Sequence, residues 1–452
     1  MNHKTNVIKI KKGLDIRLKG RAQDVITQIP VDGIYSIVPD DFYGFKPKLV
    51  VKDGDCVSAG DALFVNKDNM DLKVVSPVSG KIIDIIRGKR RKLLSIRIKA
   101  DEKQTYKKFA PKDVSILSAK EVKQLLLDSG LFSFIHQRPY DIVANPNSNP
   151  KGIFISAFNS MPLAQDFTIA LRGSEDYFQK GIEALSRIAP VTLCFTESQH
   201  NSFNTLSNTN KYIISGPNPS GNVGVQINHI SPINKGEVVW TLLPENVIFI
   251  GKLVTDGIVD LTRTIAVAGS EVIRPGYVKV KTGTSLEKIL TNNIDQNRPL
   301  RIINGNPLVG KASDLNGFLS STSTEITVIP EGSDKNEVLG WIMPRFHDFS
   351  TNRSYFSWLQ NRNKTYTLDA RIKGGERHII MSGEYDRVFP MNIYAGYLIK
   401  AILTGDIDKM EALGIYEVAP EDFAVAEFVD SSKLELQRIV REGLDMLRKE
   451  LE

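Results

Sequence analysis

The stretch Val51-Lys-Asp-Gly-Asp-Cys-Val-Ser-Ala-Gly-Asp-Ala-Leu-Phe64 decides the fold of the N-terminal region, together with Val74-Val-Ser-Pro-Val-Ser-Gly-Lys-Ile-Ile83. In the first stretch, Asp53-Gly-Asp55 and Ala59-Gly-Asp61 flank a short strand, because glycine supplies the positive φ that tight turns need. In the second stretch, a Pro/Gly turn separates two apolar runs. The pattern predicts short strands joined by tight turns.

This strand pattern resembles the barrel-sandwich hammerhead of biotinyl and lipoyl carrier domains. In those carriers the modified lysine lies eight residues before the proline of the Pro/Gly turn. Counting eight residues back from Pro77 reaches Asn69, and an amide cannot carry biotin or lipoate. The resemblance therefore predicts the carrier fold without the carrier function.

A cluster of basic residues follows the second stretch, with five cations in six positions: Arg87, Lys89, Arg90, Arg91 and Lys92. Such a run is typical of a solvated loop tip. The functional alternative is contact with an acidic partner or with anionic lipid headgroups, where each cation contributes about 1 kcal/mol. No aromatic side chain interleaves the run, which argues against a nucleic-acid partner.

The middle of the chain alternates strands with helices, a pattern typical of an α/β layer with a parallel sheet. Ser118 and Glu121 form the sequence of a capping box, and Gly130 is placed to end the helix they open. Strands are predicted at 152–158, 190–196 and 211–215, and a helix at 174–188. No Gly-x-Gly-x-x-Gly follows a strand, so we expect a Rossmann-like layer without bound NAD.

Downstream, Gly305-Asn-Pro-Leu-Val-Gly-Lys311 is close to a phosphate-binding P-loop, but Ala312 stands where a magnesium-binding hydroxyl is needed. The surrounding pattern is a strand at 274–281, a short helix capped by Thr284-Ser-Leu-Glu287, and a strand at 301–304. This unit resembles the small ligand-binding β-grasp (SLBB) domain. We therefore interpret the glycines as a fold signature.

The composition excludes several classes of function. The 452 residues suggest about three domains. Cys56 and Cys194 are the only cysteines and the six histidines show no metal-ligand spacing, so neither a disulfide framework, a metal site nor an iron–sulfur cluster is expected. The net charge of +6 is mild, no apolar run is long enough to span a bilayer, and the N-terminus has no signal-peptide core.

The order of these units and four local motifs resemble the NqrA family, the NqrA subunits of the sodium-translocating NADH:quinone reductase. The motifs are Lys11-Lys-Gly-Leu-Asp-Ile16, Tyr43-Gly-Phe-Lys-Pro-Lys48, Phe132 with Arg138-Pro139, and Tyr385-Asp-Arg-Val-Phe-Pro-Met-Asn-Ile393. They are spread over nearly the whole chain and occur in order. The resemblance implies an α/β multidomain protein with four regions: 1–105 with the hammerhead, 106–262 Rossmann-like, 263–330 SLBB-like, and an α-rich C-terminal region at 331–452.

The resemblance also implies a function. Family members are peripheral subunits on the cytoplasmic face of the bacterial inner membrane, in a six-subunit complex with membrane subunits. The complex oxidises NADH, reduces ubiquinone or menaquinone and exports sodium. The NqrA subunit holds no tightly bound flavin or iron–sulfur centre, since these belong to partner subunits, so no catalytic residue and no independent catalysis are expected here. Family cysteines are replaced by Ala426 and Asp430, and no redox role is assigned to that stretch.

A quinone site needs apolar and aromatic walls with a few hydrogen-bond donors. One stretch offers that chemistry, and its candidate residues are Phe132, Phe134, His136, Arg138 and Tyr140. The alternative is that these aromatics are ordinary core. Two other functions stay open: a scaffold subunit that binds no ligand, and a subunit of a related ion-pumping electron-transfer complex, although its Cys-x-x-Cys-x-x-Cys runs are absent.

The terminal segment 432–451 predicts an amphipathic helix opened by a capping box of Ser432 and Glu435. Its apolar stripe comprises residues 436, 440, 444, 447 and 451. The stripe can pack on its own domain or dock onto a partner subunit.

The membership of a complex can be tested by a pull-down from membranes. We expect the tagged chain to co-purify with flavin-containing membrane subunits. A chain that is recovered alone in the soluble fraction would contradict this interpretation.

Overall fold

The computed structural model describes residues 6–111, 113–334, 343–351, 355–359, 363–380 and 383–451. Its N-terminal region is built from strands. They are β1 (Asn6–Lys9), β2 (Ile26–Gln28), β3 (Ile34–Ile37), β4 (Pro47–Leu49), β5 (Cys56–Val57), β6 (Ala62–Asn66), β7 (Lys73–Val75), β8 (Gly80–Arg87) and β9 (Leu93–Ala100).

The predicted barrel-sandwich is confirmed. A four-stranded antiparallel sheet in the order β3-β9-β8-β5 packs against a three-stranded sheet in the order β4-β6-β7. Asn69 lies in the turn between β6 and β7, where its side-chain oxygen accepts a hydrogen bond from the backbone N–H of Asp71 at 3.1 Å. The residue at the carrier-lysine position therefore stabilises its own turn.

Two strands of the N-terminal region leave the sandwich and complete other sheets. β1 pairs in parallel with residues 212–215 of the α/β layer, and β2 pairs in parallel with residues 277–279 of the β-grasp unit. Backbone hydrogen bonding thus ties the start of the chain to both later units.

The α/β layer holds α1 (Ala119–Ser129), β10 (His136–Arg138), β11 (Ile142–Val143), β12 (Ile153–Ser156), α2 (Phe167–Leu171), α3 (Glu175–Ser186), β13 (Val191–Phe195), α4 (His200–Phe203), β14 (Asn210–Ser215), α5 (Val223–Ile230), β15 (Val239–Leu242) and α6 (Pro244–Asp256). The capping box of Ser118 and Glu121 forms as predicted, and Gly130 ends α1 with φ of 76°. The strands are ordered β1-β14-β13-β12-β15-β10-β11. The first five are parallel, and β10 and β11 complete the sheet as antiparallel strands.

Helices α3 and α6 cross at two reciprocal glycines. A Cβ atom on Gly181 would lie 2.1 Å from the carbonyl oxygen of Val247, and one on Gly251 would lie 1.8 Å from that of Tyr177. Both distances are far below van der Waals contact. The two backbones therefore approach this closely only because each helix carries a glycine at the crossing.

The β-grasp unit contains β16 (Thr262–Ala268), β17 (Gly276–Lys281), α7 (Leu286–Leu290), β18 (Leu300–Asn304), β19 (Lys311–Ser313) and β20 (Glu325–Pro330). Its sheet runs β19-β18-β20-β16-β17-β2. The P-loop-like glycines form the turn before β19: Gly305 has φ of 113°, and a Cβ there would lie 3.0 Å from Gly310 Cα. The predicted cap of α7 is wrong: the residue at the N-cap is Ser285, which makes no side-chain cap hydrogen bond, and the hydroxyl of Thr284 donates to the carbonyl of Lys281.

The C-terminal region contains α8 (Glu384–Val388), α9 (Ala395–Thr404), α10 (Ile407–Ala412), α11 (Ala424–Val429) and α12 (Leu436–Leu451). The stripe of α12 packs within this region at 436, 440, 444 and 447, whereas Leu451 is exposed. The predicted capping box of α12 is wrong. Ser432 accepts a hydrogen bond from the N–H of Ile380 and donates one to the carbonyl of His378. The N–H of Gln437, in the first turn of α12, donates instead to the carboxylate of Glu427.

Replacing Gly251 with alanine tests the helix crossing. In an open helix this change stabilises by about 1 kcal/mol, but here the added methyl must separate α3 from α6. We expect a loss of about 1–3 kcal/mol in the free energy of unfolding, measured by urea denaturation.

Gly375→Ala is the matched control for that measurement. No heavy atom lies within 4 Å of the Cβ that it would add. We expect its stability to equal or slightly exceed that of the wild type. Equal stability of both variants would contradict the close crossing.

Candidate functional site

A central cleft opens at the carboxyl ends of β12 and β15. The next two strands of the chain, β13 and β14, lie on one side of β12 in the sheet. The chain then crosses back, and β15 pairs with β12 on its other side. This is a topological switch point, the position where open α/β sheets bind ligands. The cleft has a volume of about 540 Å³.

All four regions of the chain contribute to the wall of the cleft. The N-terminal region supplies residues 40–43, the α/β layer supplies the ends of β12 and β15, the β-grasp unit supplies Val309 and Lys311, and the C-terminal region supplies Glu421 and Arg441. The site therefore exists only in the assembled tertiary structure.

Aromatic rings form the apolar wall of the cleft. Phe134 is packed edge-on against Phe42 at 5.6 Å and near-perpendicular to Phe249 at 6.0 Å, measured between ring centroids. Phe167 lines the same wall. Edge-to-face contacts of this kind are a favoured arrangement of aromatic pairs.

Three of the five predicted site residues line the cleft: Phe134, His136 and Arg138. His136 and Arg138 share one face of β10 because side chains alternate along a strand. Phe132 lies behind the wall, fully buried and edge-on to Trp240 at 5.3 Å, and Tyr140 packs against the core of the C-terminal helices. The aromatic stretch is thus partly core and partly cleft.

Arg138 is the most deeply buried charge in the wall. Its side chain is 1% exposed and donates to Asp422 at 2.9 Å and to Glu421 at 2.8 Å. Although burial opposes the charged guanidinium, Asp422, Asp141 and Glu421 raise the pKa of Arg138, so it stays protonated. Asp422 fits beside Arg138 only because residue 224 is a glycine. A Cβ atom on Gly224 would lie 2.5 Å from the carboxylate of Asp422.

A second group of charged side chains, Asp141 and Arg441, lies near Arg138 at the mouth of the cleft. The carboxylate of Asp141 accepts from Arg441 at 2.9 Å and lies 3.8 Å from His136 Nδ1. Burial by itself would raise the pKa of Asp141, but the neighbouring His136 and the two arginines hold it well below its usual range. The guanidinium of Arg441 stacks over Tyr43 at 4.1 Å from the ring centroid.

The floor of the cleft carries a buried carboxyl that the sequence analysis missed. Glu245, in the first turn of α6, is 2% exposed and accepts from the amide of Gln165 through Oε1. Burial raises the pKa of Glu245 to about 7, against the opposing attraction of Arg263. The available signal was a Pro-Glu pair directly after the apolar strand β15, which marks a helix start at a strand's carboxyl end.

The basic cluster of residues 87–92 forms the tip of the β8–β9 hairpin. All five cations are exposed there, and Lys92 donates to Asp40 at 2.6 Å. The geometry is that of a solvated loop tip whose charge is available on the surface.

A larger groove of about 900 Å³ lies at the amino ends of β13 and β14. Its lining is mainly polar and includes Arg187 and Lys211. Because ligands of open α/β sheets bind at the carboxyl ends of strands, we assign the candidate site to the central cleft.

Neither a metal centre nor a membrane span is found in the part of the chain that the structure describes. Within it, no three His, Cys, Asp or Glu side chains group as metal ligands, and no helix is both long and apolar enough to cross a bilayer. Both cysteines are free thiols, and burial raises the pKa of Cys194.

Comparison with known proteins gives the domains and the family. The model of the NqrA N-terminal barrel-sandwich hybrid domain matches residues 8–101, that of the NqrA second alpha/beta domain matches 117–259, and that of the NQRA C-terminal domain matches 264–314. The three matches follow one another without overlap. They agree with the sandwich, the α/β layer and the β-grasp unit seen in the structure.

Relatives match over nearly the full length. The chain is 34% identical over 449 residues to the NqrA subunit of the Na(+)-translocating NADH-quinone reductase of Yersinia pestis bv. Antiqua (strain Angola), covering 98% of this chain and 100% of the relative. The corresponding subunit from Haemophilus influenzae (strain PittGG) is 33% identical over 450 residues, with the same coverage. NAD+-reducing NiFe-hydrogenase in the H2-reduced state aligns at 11% identity and a TM-score of 0.34, over 50% of this chain and 52% of that chain. At that TM-score the likeness carries no functional argument.

The fold and the matched domains define a multidomain α/β protein with barrel-sandwich, α/β and SLBB-type units. Full-length identity above 30% makes the assignment specific. The chain belongs to the NqrA family, the NqrA subunits of the Na(+)-translocating NADH-quinone reductases.

Removing one partner of the buried arginine tests the cluster in the cleft wall. Asp422→Ala removes one of the two carboxylates that are paired with the buried charge of Arg138. We expect a loss of about 3–5 kcal/mol in the free energy of unfolding, measured by chemical denaturation.

Glu435→Ala is the matched control, because it breaks the exposed pair with Arg438. We expect it to cost less than about 1 kcal/mol. A similarly small cost for Asp422→Ala would contradict the role assigned to the buried cluster.

Proposed function

We propose that the chain works as the peripheral NqrA subunit of a Na+-translocating NADH-quinone reductase, on the cytoplasmic face of the bacterial inner membrane. In this role it supports electron transfer from NADH to quinone, coupled to Na+ export. The observation that carries the proposal is the identity of 34% over 98% of the chain with a subunit of such a reductase.

The central cleft is the part of this subunit that borders the quinone. Its volume of about 540 Å³ falls within the range of small-molecule sites. Flat aromatic walls suit a quinone ring, and the wall also carries hydrogen-bond donors suited to its carbonyl oxygens. Phe134, His136 and Arg138 are the residues from the predicted set that can contact it, while Phe132 packs against Trp240 and Tyr140 against the C-terminal helices.

The chain supplies binding and assembly, and the partner subunits supply the redox chemistry. We propose that no flavin or iron–sulfur centre is tightly bound here, so the subunit has no catalysis of its own. Electrons reach the quinone through the other subunits of the complex, including the membrane subunits. The exposed cluster of residues 87–92 is a candidate contact with an acidic partner surface or anionic lipid headgroups.

Blocking the cleft tests its role. Val309, partly exposed on the cleft wall, can be replaced by tryptophan without removing a core side chain. We expect Val309→Trp to weaken binding of a short-chain ubiquinone to the full-length chain by at least about tenfold, equivalent to about 1.4 kcal/mol, measured by calorimetry. Co-purification with the membrane subunits should be unchanged.

The control is Val50→Trp, which enlarges an exposed valine outside the cleft. It should bind the quinone like the wild type. If no variant and no wild-type chain bind quinone, yet deletion of the subunit dissociates the complex, the chain is a scaffold and the cleft proposal is wrong.

A further inference from the structure

We propose that Glu245 acts as a neutral acid in the cleft and donates a hydrogen bond to a carbonyl oxygen of a quinone-class ligand. The inference rests on the proposed function of the cleft and adds the group that selects the ligand's chemistry. It would bind an uncharged carbonyl compound in preference to an anion.

The first support is an unsatisfied pair of oxygens on the cleft floor. Gln165 and Glu245 both line the cleft and are 6% and 2% exposed. Among the described residues, neither Gln165 Oε1 nor Glu245 Oε2 has a hydrogen-bond partner. Buried polar atoms rarely lack a hydrogen-bond partner, so these two oxygen atoms imply that a donor is missing from the structure around them. A proton on Oε2 turns one of these two orphan acceptors into a donor.

The second support is the arrangement of charges around Glu245. Arg263 on β16 would favour the ionised form, but its guanidinium donates to the carbonyl of Ser323 at 3.0 Å and stacks on Phe249. Glu325 on β20 repels a negative charge at Glu245. Burial outweighs the attraction to Arg263 and raises the pKa of Glu245 to about 7.

The third support is the chemistry of the aromatic wall. The apolar rings of Phe134 and Phe167 line the same cleft as Glu245. In such surroundings an ionised carboxylate would repel a carbonyl oxygen, whereas a carboxylic acid donates to it. Binding is therefore expected to require the protonated form of Glu245.

A pH dependence of affinity follows. Below the pKa of about 7 Glu245 is protonated and affinity is at its maximum. Above that pKa Glu245 is mostly ionised, so it must take up one proton from the solvent each time a ligand binds. Affinity should therefore fall by up to about tenfold per pH unit, as one linked proton requires.

The test uses the full-length chain and a short-chain ubiquinone, titrated by calorimetry between about pH 6 and 9. The wild type should lose affinity as pH rises, and at the alkaline end of the range it should take up close to one proton on binding, measured in buffers of different ionisation enthalpy. Glu245→Gln keeps an N–H donor that does not titrate, so its affinity should be nearly independent of pH. Glu417→Gln, a partly buried glutamate outside the cleft, is the matched control and should keep the wild-type profile.

Each other outcome overturns the inference. Wild-type binding without pH dependence or proton uptake would overturn it while leaving the proposed quinone role of the cleft intact. A profile that persists in Glu245→Gln and vanishes in Glu421→Gln would assign the proton to the other glutamate of the wall. Absence of binding at every pH would overturn both the inference and the cleft proposal. If Glu245→Gln fails to fold, Glu421→Gln decides between the two glutamates of the cleft lining: a wild-type profile kept in that variant leaves the proton with Glu245, and a lost profile removes it from Glu245.

Discussion

The buried guanidinium of Arg138 is the constraint on which the rest of the structure depends. A guanidinium that is 1% exposed needs acidic partners, and the two that accept its hydrogen bonds, Asp422 and Glu421, come from the C-terminal region. Satisfying this charge docks the C-terminal helices against β10 of the central sheet. That docking completes one wall of the cleft and brings Arg441 to its mouth.

The cleft itself follows from the order of the parallel strands. Because the chain reverses direction across the sheet between β14 and β15, the connections after β12 and β15 diverge and leave a crevice at their carboxyl ends. Helix α6 begins there and places Glu245 at the floor, while the β-grasp unit closes the side at Val309. One topological feature thus positions groups from distant parts of the chain.

Local signals in the sequence predicted the architecture well and the details of capping poorly. The box of Ser118 and Glu121 formed because both partners lie within one helical turn. The boxes predicted at Thr284 and Ser432 did not form: the hydroxyl of Thr284 donates to the carbonyl of Lys281, and that of Ser432 accepts from the N–H of Ile380, outside the helix. Of the residues predicted to border a quinone, Phe134, His136 and Arg138 line the cleft, whereas Phe132 packs edge-on against Trp240, a neighbour that no short-range pattern identifies.

By itself the sequence determined the succession of barrel-sandwich, α/β layer, β-grasp unit and helical end, because turn residues and apolar periodicity act over a few positions. Family motifs spaced along the chain added a resemblance to the NqrA family, and that resemblance implies the function. Only the tertiary structure decided which side chains meet: Arg138 with Asp422, 284 residues away, and Gln165 with Glu245, 80 residues away. The physical reason is that burial and charge compensation depend on neighbours in space. The pKa of Glu245 is raised by a cleft that four separate regions have to build.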